Sequence, residues 1–388
     1  MQLRPPVLLD RIVLRHLAWP LLIAALASVL YIAIKTKRDT LVDFEVYRTA
    51  AARALSAEPL YRPEDGHFQY KYLPIFALAM APFALAPHAI ATGAWFAMSV
   101  LLLCLFMRQS ARALPNRRLS ERSLLWLVAI FTGKFWVKEL MLGQTNVLLG
   151  VVLICALAAA QRDRWRRAAV LLGLGTFVKP YAILLFPWFA VVGGLQAVLV
   201  SSTVLALGLV VPAAVYGWQG NMALLVDWHR TVTETTAPNL LYPENISLAA
   251  MWAKFLGPGA PAWGLALTTG AGALALAATV LAMRRRVSEP NYLEFGLLMI
   301  LVPLLSPQGW DYVLLIAAPA LFCLVDRWRE VWLPWKIMSA VAIALVSFTI
   351  FDLLGRGLYT RLMAMSVVSM GALVLVFCLA HLRWKSLA

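Results

Sequence analysis

Residues 143–160 read GQTNVLLGVVLICALAAA, a short polar stretch followed at once by an unbroken apolar run. The chain is 62% hydrophobic with a mean hydropathy of +0.78, well above the roughly 45–50% apolar content of soluble domains. An apolar run near 20 residues is long enough to cross a bilayer as a helix. These features predict an all-α polytopic membrane protein.

About twelve transmembrane helices are predicted for a single domain covering residues 1–388. We place them near 17–34, 88–107, 123–140, 147–160, 168–178, 181–192, 196–215, 261–283, 292–305, 313–325, 337–352 and 360–381. The two longest polar connections, about 35–87 and 216–260, are predicted to be extracytoplasmic. The stretch Leu73–Ala86 is read as an interfacial or re-entrant segment, because it is short and carries Pro74 and Pro82.

The formal net charge of +15 sets the orientation. Most of the excess Lys and Arg falls on the side that holds 108–122, 161–167 and 284–291, and the positive-inside rule assigns that side to the cytoplasm. The polar clusters then share the opposite face and can line one cavity, as expected for a membrane enzyme. The basic residues are scattered over short loops and form no continuous patch, so nucleic-acid binding is not expected.

The first outer loop contains a predicted amphipathic helix, DFEVYRTAAARALSA, at Asp43 to Ala57. Its apolar stripe, which includes Phe44 and Tyr47, is expected to lie on the membrane surface. Asp43 stands at the start of this helix and has two open interpretations, a helix cap or a catalytic carboxylate at the mouth of the cavity. Glu45 does not face Asp43 on a helix, and no metal site is predicted.

Three lysines stand near the outer ends of predicted spans. Lys134 and Lys138 lie four residues apart, on one face of a helix, and Lys179 interrupts an apolar run. Charged groups at membrane depth cost roughly 2.5–3.5 kcal/mol on insertion scales and usually face a cavity. They are candidates for binding a phosphate, with snorkelling to the interface as the alternative.

Four stretches, taken in order, resemble glycosyltransferase family 87, the polyprenyl-phosphate-mannose-dependent mannosyltransferases of the GT-C superfamily. They are Asp43-x-x-x-Tyr47 with Pro59-Leu60-Tyr61 and Phe68-Gln69-Tyr70-Lys71-Tyr72-Leu73-Pro74; Gly143-Gln144-Thr145-Asn146; Lys179-Pro180 with Pro187; and Asn245-Ile246-Ser247-Leu248 with Ser306-Pro307. The resemblance implies a GT-C-like fold and an inverting hexosyltransferase that needs no cofactor. The implied partners are a polyprenyl-phosphate sugar donor, a glycolipid or glycan acceptor and the lipid bilayer.

The resemblance also implies site roles. Asp43 matches the general base, and Lys179, Lys138 and Lys134 would bind the donor phosphate. Candidates for contact with the sugar or acceptor are Tyr70, Gln144, Asn146, Asn245, Trp310 and Asp311. The implied location is the bacterial cytoplasmic (inner) membrane, with the site facing the periplasm or the outside.

Two alternatives stay open at this point. Many family members carry a histidine pair where this chain has Tyr312 and Val313, which makes Asp311 a second candidate base unless it only caps the following helix. A transporter or flippase for a lipid-linked glycan would also contain intramembrane lysines and broken helices. The clustering of polar groups on one face favours an enzyme, and an intact Asp43 argues against an inactive scaffold.

Overall fold

The computed structural model describes residues 41–386, and the predicted first span near 17–34 lies outside them. The described chain is helical and contains no strand, only one isolated bridge between Asn245 and Trp310. The α-helices are α1 Val42–Leu55, α2 Pro74–Ala79, α3 Ala81–Leu85, α4 His88–Ala113, α5 Glu121–Phe131, α6 Gly133–Leu142, α7 Asn146–Ala160, α8 Trp165–Val178, α9 Phe186–Val210, α10 Ala213–Glu234, α11 Thr236–Asn239, α12 Leu248–Leu256, α13 Ala260–Ala282, α14 Asn291–Leu305, α15 Ala318–Asp326, α16 Leu333–Phe348, α17 Phe351–Ala364 and α18 Val367–Lys385.

Short 3₁₀ helices punctuate this order. They cover Pro63–Phe68, Pro180–Leu185, Met283–Arg286 and Asp311–Ala317. Two of them begin at polar positions singled out in the sequence, next to Lys179 and at Asp311. The apolar runs that follow these positions therefore do not start as regular α-helices.

Helices long and apolar enough to cross a membrane are fewer than predicted. By length and composition, the described residues contain four, His88–Ala113, Pro180–Val210, Ala260–Arg286 and Val367–Lys385, or up to six if each of two bent pairs is one span. The prediction of about twelve spans is not confirmed. One reason is that the predicted spans 181–192 and 196–215 largely share the segment Pro180–Val210, which is kinked at Gly194 but not divided by a loop.

The two bent pairs are α6 with α7 and α16 with α17, at angles of 119° and 104°. The first bend lies within the GQTN stretch. Gly143 ends α6 in the left-handed region at φ +71°, which glycine adopts without steric cost. The bend leaves Gln144 and Thr145 between two helix ends, with both side chains buried.

The predicted helix in the first loop is present as α1, but its apolar stripe does not face lipid. Phe44 stacks on Trp95 with ring centroids 5.2 Å apart and meets Phe83 edge-on at 5.7 Å. Tyr47 packs against Phe76. The expectation that this stripe lies on the membrane surface is therefore wrong, because other parts of the protein already bury it.

The stretch Leu73–Ala86 forms the two short helices α2 and α3. Neither approaches the length of about 20 residues that a crossing needs. Phe76 and Ala77 are buried beneath α1. This segment therefore supports the helix that carries Asp43.

Candidate active site

A cavity of about 500 Å³ opens where the polar segments converge. Its wall combines the start of α1, the loop before α2, the GQTN bend, the Lys179-Pro180 break and the loop after Ser306. The side chains most relevant to chemistry there are Asp43, His67, Lys71, Tyr72, Lys138, Gln144, Lys179, Tyr181, Tyr242, Glu244, Gln308, Trp310 and Tyr312.

Asp43 is positioned by contacts between the start of α1 and the GQTN bend. The backbone N–H of Leu41 donates to the carbonyl of Met141 at 2.8 Å, and Trp95 Nε1 donates to the carbonyl of Gly143 at 3.0 Å. Leu41 is the N-cap residue, and no side chain caps the helix. The capping interpretation of Asp43 is therefore wrong, and its carboxylate is turned toward the cavity.

Gln144 is the central residue of the site. Its amide Nε2 donates to Asp43 Oδ2 at 2.6 Å and to Tyr312 Oη at 3.2 Å. Its amide oxygen Oε1 accepts a hydrogen bond from Lys179 Nζ at 3.1 Å. A single neutral side chain thus holds a carboxylate on one side and an ammonium on the other.

Burial changes the acid–base chemistry of the cavity wall. It raises the pKa of Asp43 above its ordinary value, although the hydrogen bond from Gln144 and the positive charge of Lys179 oppose the shift. A carboxylate with a raised pKa is a stronger base than an exposed one. On the same wall, burial lowers the pKa of Lys71.

The buried turn beneath Gln144 is fixed by Glu139. Glu139 accepts a hydrogen bond from the backbone N–H of Val147 and another from Asn146 Nδ2, both at 2.7 Å. Its backbone carbonyl also accepts the N–H of Gln144 at 3.0 Å. Glu139 is 1% exposed, so it acts through the shape of the turn and does not itself reach the cavity.

The three predicted phosphate-binding lysines occupy different positions. Lys179 is buried in the cavity wall, between the rings of Tyr72 and Tyr181. Lys138 also lines the cavity and lies 3.2 Å from Asp311 Oδ1. Lys134 lies behind the wall, 3.7 Å from Asp311 Oδ2, and donates to the carbonyl of Thr349. Of these three lysines, Lys179 and Lys138 line the cavity and Lys134 does not.

Of the side chains predicted to contact sugar or acceptor, Gln144 and Trp310 line the cavity. Trp310 packs edge-on against Tyr242 with ring centroids 5.9 Å apart. Asp311 does not line the cavity, and its carboxylate is paired with Lys134 and Lys138. Its side chain does not cap the following helix, whose N-cap is Trp310.

Three further predicted side chains bond within the protein. Tyr70 is buried and donates to the carbonyl of Leu73 at 3.1 Å. Asn146 donates to Glu139, and Asn245 donates to the carbonyls of Asn239 and Pro307. None of the three lines this cavity, so their contribution to it is to hold its walls.

Several lining residues were missed in the sequence. Lys71 and Tyr72 lie inside the quoted FQYKYLP run, and Glu244 directly precedes Asn245. Tyr72 bonds Tyr47 Oη at 2.8 Å and Thr145 Oγ1 at 3.2 Å, so it joins α1 to the GQTN bend. The motifs marked segments that meet at this cavity, but some of the side chains that face it were not among the predicted site residues.

Tyr312 stands at one of the two positions where the resemblance described above implies a histidine. Its hydroxyl accepts from Gln144, and its ring lies under Lys138 Nζ at 5.2 Å. The neighbouring Val313 is fully buried. In this chain, the group that accepts a hydrogen bond from the Gln144 amide at this position is therefore the phenol of Tyr312.

Replacing Gly143 with alanine is expected to displace Asp43. A Cβ at this position would lie 2.9 Å from Phe44 Cβ and 3.0 Å from Leu41 Cδ2, and the φ of +71° disfavours any L side chain. We expect Gly143→Ala to lower transfer activity at least ~10-fold, since a displacement near 1 Å can cost about 10²-fold. Gly93→Ala is the matched control, because a Cβ there meets no atom within 4 Å. Equal activity of the two variants would contradict the role of this contact.

Within residues 41–386, no group of three or more His, Cys, Asp or Glu side chains is arranged to hold a metal ion. The cavity instead offers two carboxylates, of which Asp43 is held by an amide, three lysines and several hydroxyl and aromatic groups. This set can take a proton from a hydroxyl group and stabilise a nearby anion.

Comparison with known proteins gives one match. The model of the family described as glycosyltransferase family 87 matches residues 70–307, more than half of the chain. The match includes the GQTN bend, Lys179 and Ser306-Pro307 but begins after Asp43. No curated protein and no solved structure matches the chain.

Proposed function

This chain belongs to glycosyltransferase family 87, and from that premise we propose that it moves mannose from a polyprenyl phosphate to a lipid-linked or cell-envelope glycan, with inversion at the anomeric carbon. Family membership and the apolar helices indicate a multi-pass membrane glycosyltransferase. The donor, the stereochemistry and the acceptor are the proposed part.

The observation that carries this proposal is the bridge from Asp43 through Gln144 to Lys179. The reaction needs a base beside the attacking hydroxyl and a cation beside the leaving phosphate. The two groups must lie on opposite sides of the anomeric carbon for in-line displacement. The amide of Gln144 contacts both groups and so keeps them from direct contact, and all three side chains line the same cavity of about 500 Å³.

The proposed step is balanced within the cavity. Asp43 takes the proton of the acceptor hydroxyl, and the oxygen of that hydroxyl forms a bond to the anomeric carbon. The bond between that carbon and the phosphate oxygen breaks, and its electron pair stays on the phosphate. Lys179, with Lys138, stabilises the anion, while Trp310 and Tyr72 confine the sugar.

The decisive experiment is a donor panel. Purified protein in lipid nanodiscs would be incubated with polyprenyl phosphates that carry mannose, glucose, galactose or arabinose, together with a mannoside acceptor. We expect consumption of the mannose donor and release of polyprenyl phosphate. Consumption of none of them, with translocation of an intact lipid-linked sugar across a liposome membrane, would support the transporter alternative.

The proposed orientation places the cavity on the extracytoplasmic side of the bacterial cytoplasmic membrane. The positive-inside distribution supports it. We expect single cysteines at Glu64 and Glu234, both exposed, to react with an impermeant thiol reagent in intact cells. A cysteine at Arg164, also exposed, should react only after permeabilisation.

The labelling is done in a variant whose four native cysteines are replaced by alanine and whose activity has been verified. The expected result follows from the assignment of 35–87 and 216–260 to the outside and of 161–167 to the cytoplasm. Labelling of Arg164 in intact cells, with protection of the other two positions, would reverse the orientation.

A further inference from the structure

A groove with a volume of about 690 Å³ runs between α5 and α16, and we call it the α5–α16 groove. Its wall combines the connection before α5, α5 itself, the end of α15 with the residues that follow it, and α16. None of the residues that line it lines the catalytic cavity. Its volume is within the usual range for ligand sites, about 300–1,000 Å³.

One half of the α5–α16 groove is apolar and open. Ala340, Ala344 and Phe348 recur at four-residue spacing and so share one face of α16. Leu127 and Phe131 have the same spacing and form the facing wall on α5. All of these except Phe131 are exposed. The stretch from Ala340 to Phe348 is about 12 Å long, which fits within one leaflet of a bilayer core roughly 30 Å thick.

The other half is charged and lies in the connections at the helix ends. Arg118 precedes α5, Arg329 lies between α15 and α16, and both are exposed. Arg118 is 2.5 Å from Glu330 Oε1. Arg329, by contrast, has no ion-pair partner within residues 41–386. At least one guanidinium group is therefore available to an anion from outside the chain.

Asp326, the carboxylate that lines the groove, is already bonded. Its Oδ1 accepts the backbone N–H groups of Arg118 and Leu119, both at 2.9 Å, and the residue is 3% exposed. Arg327 lies 3.7 Å from Asp326 Oδ2 and 3.6 Å from Glu330 Oε1. Three arginines thus share two carboxylates, and the charged end of the groove is positive.

We propose that the α5–α16 groove binds a phospholipid with a net negative headgroup, with the phosphate at Arg118 and Arg329 and one acyl chain along Ala340 to Phe348. Basic groups at the ends of membrane helices attract anionic headgroups, and guanidinium groups bond phosphate oxygens in a bidentate manner. Trp328 lines the same charged end, and tryptophan is enriched at the level of the headgroups.

The two halves of the groove together select this class of ligand. A soluble anion would leave the apolar half uncovered, and a lipid without net charge would leave the positive end without a counter-charge. In the proposed orientation the headgroup lies in the cytoplasmic leaflet, and the catalytic cavity faces the other side. The inference does not depend on the proposed transfer reaction.

The test is lipid binding by the delipidated full-length protein in detergent, measured by native mass spectrometry. The probes are dioleoyl phosphatidylglycerol, dioleoyl phosphatidylcholine, undecaprenyl phosphate and inorganic phosphate. We expect one phosphatidylglycerol to bind with a Kd at least ~10-fold below that of phosphatidylcholine, since each arginine favours the anionic headgroup. Equal binding of the two phospholipids, tighter binding of undecaprenyl phosphate, or displacement of phosphatidylglycerol by millimolar inorganic phosphate would overturn the proposal.

Three variants assign the binding to its residues. Arg329→Gln should reduce the preference for phosphatidylglycerol to about threefold or less, whereas Arg329→Lys, which keeps the charge, should retain most of it. Arg285→Gln is the matched control and should keep the full preference, because Arg285 is an exposed arginine in the 3₁₀ helix after α13 and lies outside the groove. A preference that survives in Arg329→Gln would contradict the assignment.

Photo-crosslinking locates the acyl chain. Phosphatidylglycerol with a diazirine in its acyl chain should label peptides of α5 and α16, and Ala344→Phe, which fills the apolar half, should remove this labelling. Labelling spread over all membrane helices, or unaffected by Ala344→Phe, would mean a general boundary lipid and would reject the groove. A protein that binds phosphatidylglycerol as expected but consumes no polyprenyl-phosphate sugar would support the groove and reject only the transfer reaction.

Discussion

Asp43→Asn is expected to lower transfer at least ~10²-fold, the lower range for the loss of a general base, without loss of expression. Asparagine has nearly the same size, and its amide oxygen can still accept the hydrogen bond that Gln144 donates to this position. No cap is lost, because the side chain of Asp43 does not cap α1. The variant removes the ability to accept a proton. The measurement is the initial rate of transfer, with donor binding measured separately.

Two other carboxylates serve as comparisons. Glu244 also lines the cavity, so Glu244→Gln tests the rival base directly and should retain much more activity. Asp311→Asn is different, since it would leave Lys134 and Lys138 without their shared counter-charge, and its main effect should be on stability. An active Asp43→Asn beside an inactive Glu244→Gln would transfer the role of base to Glu244.

Lys179→Met should raise the donor KM and lower kcat/KM by about one to two decades, the cost of losing a charge-assisted hydrogen bond of roughly 1.5–3 kcal/mol. Lys179 is the most buried of the lysines that line the cavity, and its ammonium group already faces inward at Gln144. Methionine has a similar length and suits the apolar surroundings, so the protein should remain folded. The readout is KM for the polyprenyl-phosphate donor.

Lys134→Met is the matched control for the loss of one positive charge. Lys134 is almost as buried but does not line the cavity, and Asp311 keeps Lys138 as a partner when Lys134 is lost. Its donor KM should stay within about twofold, an effect below 0.5 kcal/mol. Equal losses in the two variants would mean that general electrostatics, and not contact with the phosphate, explains the effect.

The sequence predicted the helical class and the first-loop helix, because apolar length and 3.6-residue periodicity are local properties. It did not predict the number of spans. A break such as the GQTN bend turns the chain by 119°, and this angle cannot be predicted from hydropathy. The stripe of Phe44 and Tyr47 likewise indicated an apolar neighbour, but not whether the neighbour was lipid or Trp95.

The sequence predicted which segments meet at the cavity more accurately than which side chains line it. Gln144, Lys179, Lys138 and Trp310 lie around the cavity that contains Asp43. Asn146 and Asn245 are equally polar, yet they bond to Glu139 and to backbone carbonyls. Such a choice depends on how the chain turns around each amide, whether the partner is seven residues away, as Glu139 is from Asn146, or 62 residues away, as Pro307 is from Asn245. A single sequence without contacts therefore cannot separate ligand-binding amides from structural ones.

The amide of Gln144 acts as a neutral spacer that keeps two opposite charges out of direct contact. If Asp43 and Lys179 touched directly, they would form an ion pair, the carboxylate would become a weak base and the ammonium would be less available to another anion. An amide carries no net charge and cannot be ionised near neutral pH. It donates one hydrogen bond to the carboxylate and accepts one from the ammonium group. The other lone pairs of Asp43 and the other N–H groups of Lys179 can then bond to a ligand in the cavity.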